Sequence, residues 1–64
     1  MVRYGMLIEH SNGKKEFSQY ISKKANIERI EKVKDFYKER GARIYLIKFD
    51  VFEGHHTTLE KTEF

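Results

Sequence analysis

The sequence predicts an α+β fold: a single-layer, four-stranded mixed sheet in the order 2-1-3-4, built β-β-α-β-β, with one helix packed on one face. Three observations support it. Alternating apolar residues lead into Asn12-Gly13, an apolar stripe of helical period follows Asn26, and residues 43–52 are apolar on both sides. A chain of 64 residues makes one domain, spanning 1–64.

VRYGMLIEH (Val2 to His10) places Val2, Tyr4, Met6 and Ile8 on one side, the period of a strand. Asn12-Gly13 then signals a two-residue type I′ hairpin, a turn that needs positive φ at both central positions. KKEFSQYI is the second strand. A two-residue turn pairs Ser11 with Lys14, Ile8 with Phe17 and Tyr4 with Ile21, so apolar residues meet on one face. The same register opposes Glu9 and Glu16 on the other face, a small like-charge penalty. Gly5 is expected opposite Tyr20, where an aromatic ring covers it, or where a partner's backbone comes close.

NIERIEKVKDFYKERG reads as a helix, with Asn26 as its cap and Gly41 at its C-terminal end. Ile27, Ile30, Val33, Phe36 and Tyr37 form the apolar stripe. The solvent face carries Glu28, Glu31, Lys32, Asp35, Lys38 and Glu39, with Glu28–Lys32 as an i,i+4 pair. A face of that sign is unsuited to a nucleic-acid groove. RIYLIKFDVF, apolar on both sides, suits a central strand. HTTLEKTEF is threonine-rich and charged, as an edge strand that resists sticking should be. The helix makes strands two and three run in parallel directions, and strand one fits between them.

One helix covers one face of such a sheet. The covered face is expected to take Tyr4, Met6, Ile8, Phe17, Ile21, Tyr45, Ile47, Phe49 and Val51. Leu7, Tyr20, Ile44, Leu46, Lys48 and Phe52 then form the candidate interface on the bare face, a patch on the order of a few hundred square ångströms that suits an interaction site. The competing expectation is that strand four or a loop curls over it. Whether Leu59 joins the core depends on whether the turn after Glu53 has two or three residues.

Composition narrows the chemistry. There is no cysteine, which excludes disulfides and thiolate zinc sites. No apolar run approaches the roughly 20 residues of a membrane span, and no signal-peptide pattern is present, so a complete cytoplasmic chain without a membrane partner is expected. His55 and His56 are neighbours on a strand and point to opposite faces, and His10 lies at the far end of the sheet, so no metal site is expected. No serine or threonine has the context of an activated nucleophile, and a single layer offers little concavity, so no catalytic residue, enzyme activity or cofactor is expected.

Charge is unevenly spread. Residues 1–48 carry twelve Lys/Arg against six Asp/Glu, whereas residues 49–64 carry one lysine against four acids. Arg3, Lys14, Lys15, Tyr20, Arg40 and Arg43 make a candidate nucleic-acid surface, with Tyr20 and Phe52 as stacking rings beside the basic hairpin end. Glu9, Glu16 and Asp50 on the same face oppose that reading. A protein-binding module is therefore the first expectation, either docking a partner on its bare face or edge strand or pairing as a homodimer. Nucleic-acid binding is the alternative. In its small size, lack of cysteine and Lys/Glu-rich composition the chain resembles small proteins of phages and other mobile elements. That resemblance implies a regulator or inhibitor of a host protein.

Overall fold

The computed structural model describes all 64 residues. The chain runs β1 (Val2–Glu9), β2 (Lys15–Ser18), α1 (Lys23–Lys38), β3 (Arg43–Phe52) and β4 (His55–Glu63). The strands lie in the order β2-β1-β3-β4, with α1 against one face, as the sequence predicts. Every adjacent pair is antiparallel. β2 and β3 do point the same way, but β1 separates them, so the sheet expected to be mixed contains no parallel pair.

The first hairpin differs from expectation by one residue. The His10 N–H donates to the Lys14 carbonyl at 2.8 Å and the Gly13 N–H donates to the His10 carbonyl at 3.0 Å. The loop is thus Ser11-Asn12-Gly13, with positive φ at Gly13 alone. Asn12 keeps an ordinary backbone and its Oδ1 accepts the Lys14 N–H at 2.9 Å. A three-residue loop of this kind needs one left-handed residue where the two-residue turn needs two. Leu7 consequently pairs with Phe17, Ile8 with Glu16 and Glu9 with Lys15. A one-residue slip turns every side chain of a strand over. Phe17 moves to the helix-free face, and the Glu9–Glu16 repulsion is replaced by Glu9 beside Lys15.

The β1–β3 register completes the correction. Ile8 opposes Ile44 and Met6 opposes Leu46, while Leu7 opposes Tyr45 and Gly5 opposes Ile47. Directly opposed residues share a face. Met6, Ile8, Ile44 and Leu46 therefore form the core beneath α1 with Ile30 and Ala42. Tyr45, Ile47 and Phe49 form a second cluster on the other side, with Leu7 and Val51 against it. β3 was expected the other way up. Its apolar residues on both sides fit either orientation, and the link from α1 decides between them. That link is closed at Gly41 (φ 81°), where the Ala42 N–H reaches back to the Tyr37 carbonyl at 3.1 Å and the Gly41 N–H to that of Lys38 at 3.0 Å.

The helix begins earlier than Asn26. Ser22 caps it, its Oγ accepting the Ala25 N–H at 3.0 Å. Asn26 is instead a buried fastener: its Nδ2 donates to the carbonyls of Ser22 at 2.7 Å and Tyr4 at 3.2 Å, and its Oδ1 accepts the Tyr20 N–H at 3.3 Å. One side chain thereby ties α1 to β1 and to the loop before the helix. Ile27, Ile30, Val33 and Tyr37 face the sheet as expected. Phe36 is exposed and lies 3.6 Å beneath the Arg40 guanidinium. Glu31 pairs with Lys34 at 3.1 Å, and the expected Glu28–Lys32 pair is not formed.

The second hairpin closes through two residues, Glu53 (φ 48°) and Gly54 (φ 79°), so Phe52 pairs with His55. Further along, Lys48 opposes Glu60 and Phe49 opposes Thr58, which leaves Leu59 as the extra residue of a bulge. Leu59 is half-exposed and stays outside the core.

Candidate docking surface on the helix-free face

Gly5 and Phe17 shape the helix-free side of the sheet. A Cβ on Gly5 would overlap the Phe17 ring, so glycine is the residue that lets Phe17 lie across β1. The covering ring is Phe17, where Tyr20 was expected. Phe17 meets Phe49 edge-on at 5.6 Å between centroids, and His56 stacks on the other part of Phe49 at 5.4 Å. Between these rings lies a trough of about 320 Å³ whose apolar lining is Leu7, Phe17, Ile47 and Phe49. Glu9, Lys15, His56, Thr58 and Lys61 supply its polar lining.

The polar lining is organised around one carboxylate. Lys61 Nζ donates to Glu9 Oε2 at 3.1 Å and Lys15 Nζ stands 3.7 Å from the same oxygen. Lys61 also lies 4.3 Å above the Tyr45 ring. The Lys61 hydrogen bond holds the Glu9 carboxyl below its usual range, and the charges of Lys61 and Lys15 and the Tyr45 phenol add to this against partial desolvation. Arg43, opposite Glu9 in register, is raised above its usual value by the Tyr45 phenol first, with Glu63 and Glu9 adding to it.

Of the six residues expected at the interface, Leu7 alone lines this trough. Ile44 and Leu46 are buried beneath α1, because β3 is turned over relative to expectation. Lys48 is on the helix side, 3.8 Å from Glu60. Phe52 stands exposed at the end of β3. Tyr20 lies past the end of β2, where it lines a separate hollow with Val2 and Ile21. Phe17, Ile47, Phe49, His56 and Lys61 are the residues that sequence reasoning missed. The expected Glu9–Glu16 repulsion was the available sign that the hairpin register needed shifting.

The candidate nucleic-acid residues are dispersed. Arg3, Lys15 and Arg43 belong to the helix-free side by their pairing with Phe49 and Glu9. Lys14 is at the hairpin, Arg40 is engaged behind the sheet with Phe36, and Tyr20 sits at the opposite end. The histidines are equally separate. His10 bonds to Glu16 and meets the Tyr37 ring edge, while His55 and His56 occupy opposite sides of β4. No group of three or more His, Asp or Glu side chains converges to hold a metal ion. No helix is long and apolar enough to cross a membrane.

β4 forms one edge of the sheet, and all nine of its residues are exposed. Its bulge at Leu59 and the neighbouring charges Glu60 and Lys61 interrupt it as a template for another strand. The helix-free trough is therefore the better developed surface. Comparison with protein-family models, curated proteins and solved structures found nothing that matches.

Proposed function

We propose that this chain is a non-enzymatic protein-binding module that receives a partner on the helix-free face of its sheet. One observation carries the reading: Phe17 is 49% exposed while standing beside an apolar trough. A large aromatic ring held at the edge of a concave apolar floor, with charged groups around it, has the layout of an interface core and rim. A small regulator or inhibitor acts through one such surface and requires no reaction centre. A homodimer is the competing occupant.

The test compares wild type, Phe17→Asp and Phe36→Asp as baits in a lysate of the source cell, with captured proteins identified by mass spectrometry. A partner retained by wild type and Phe36→Asp but lost by Phe17→Asp supports the module and its face. A partner indifferent to Phe17, or none, overturns it.

Nucleic-acid binding is the second reading, favoured by Arg3, Lys15, Arg43 and Lys61 on the same side. Stacking on bases needs open ring faces. The expected stacking rings stand apart from these cations, Tyr20 in a separate hollow and Phe52 on the other side of β3, which weakens this reading. Fluorescence anisotropy against single- and double-stranded DNA and RNA at two salt concentrations separates the two. Tight binding that falls steeply with salt puts the second reading first.

A further inference from the structure

We infer that the segment received by the trough is acidic: it seats an apolar side chain beside Phe17 and offers a carboxylate to Lys15 and Lys61. This rests on the helix-free face being the docking surface. Charge at the mouth of the trough is locally unbalanced. Two ammonium groups converge on the single Glu9 carboxylate, one at 3.1 Å and the other at a loose 3.7 Å. Lys15 is mostly exposed, so its contact with Glu9 is easily exchanged for another carboxylate. Glu9 shows what the mouth of the trough accepts, since it is itself a carboxylate held beside an apolar floor.

Charge complementarity chooses among occupants. The helix-free side carries Arg3, Lys15, Arg43 and Lys61 against Glu9 and Glu63. A second copy laid face to face would bring two surfaces of the same net sign together. An acidic partner meets opposite charge, and its apolar anchor fills a volume that the chain leaves open. The trough, at about 320 Å³, is at the small end of the range for ligand pockets, which suits one anchoring side chain.

The experiment titrates ¹⁵N-labelled protein at low salt with three end-blocked hexapeptides that alternate Phe with Glu, with Gln or with Lys. The expected result is saturating amide shifts at Leu7, Phe17, Ile47 and Lys61 with the Glu–Phe peptide. The Gln–Phe peptide should bind about two- to fivefold more weakly, as loss of an exposed ion pair implies, and Lys–Phe more weakly still. Lys61→Met, which keeps an aliphatic chain over Tyr45, should weaken Glu–Phe binding by a similar factor. Glu9→Gln should tighten it, because removing the internal carboxylate frees both lysines. A purely structural Glu9 would not produce that gain.

Equal binding of Glu–Phe and Gln–Phe, or no gain with Glu9→Gln, overturns the acidic partner and leaves the docking face standing. Shifts confined to α1 or to the Tyr20 end overturn both. Failure of all three peptides overturns the acidic partner. Concentration-dependent shifts on the same face without peptide, with a dimer in sedimentation, assign the trough to a second copy instead.

Discussion

Gly5→Ala, Phe17→Ala and their combination test the placement of Phe17 most directly. Alanine in place of a strand glycine ordinarily stabilises by about 0.5–1 kcal/mol. Here the new methyl group would overlap the Phe17 ring and lie 3.0 Å from the Ser18 carbonyl oxygen. Overpacking of this kind costs about 1–3 kcal/mol, so Gly5→Ala should destabilise the fold. Phe17→Ala loses half-buried ring area and the edge contact with Phe49. Full burial of a phenylalanine is worth about 3–5 kcal/mol on truncation, so about 2 kcal/mol is expected for this half-exposed ring. The two losses should not add. With the ring removed, the two closest overlaps are gone and the Ser18 carbonyl at 3.0 Å remains, so Gly5→Ala should cost at least about 1 kcal/mol less than in wild type. Urea unfolding of the four proteins, followed by circular dichroism, measures the cycle. Additivity within about 0.5 kcal/mol would refute the Gly5–Phe17 contact and the hairpin register that creates it.

Asn26→Ala should destabilise by about 2–4 kcal/mol, because it removes a fully buried side chain and its bonds to part-buried backbone groups of two other segments, whereas Ser22→Ala should cost about 1 kcal/mol as a cap; chemical unfolding of both distinguishes fastener from cap. Ile30→Ala, at the fully buried centre of the helix face, should cost about 2–5 kcal/mol in the same assay. Glu9 has a lowered folded pKa, so it binds its proton less readily folded than unfolded, and its contribution is present above the usual carboxylate range. That contribution is lost as pH falls through the folded value. The stability difference between wild type and Glu9→Gln should therefore be seen at pH 6 and vanish in acid, and a difference independent of pH would contradict the Lys61–Glu9 bond.

Much of the fold was legible because each element announces itself over several residues. The stripe Ile27, Ile30, Val33 and Tyr37 requires a helix, and the polar character of β4 places it at an edge. The order 2-1-3-4 follows from joining those elements with short connections. Element boundaries and faces, by contrast, depend on single residues. Ser22 and Asn26 are both good caps, and nothing local says that Asn26 is wholly buried and bonded to the carbonyls of Tyr4, distant in the chain, and Tyr20, in the loop. Likewise Asn12-Gly13 fits a two-residue turn as well as the three-residue loop that forms.

The misplaced site traces to parity in two connections. One extra residue in the first loop turned β2 over, and β3, apolar on both sides, had no pattern with which to resist inversion. Five of the six expected interface residues consequently left the surface patch, and Phe17 entered it. A single helix covers one side of four strands, so an apolar β3 places residues on the other side whichever way up it lies. The sequence contained a check on parity in its charges. Opposing Glu9 to Glu16 left two carboxylates facing each other, whereas shifting by one residue pairs Glu9 with Lys15 and sends Glu16 to His10. The register that leaves no like charges opposed is the one that puts Phe17 on the helix-free face.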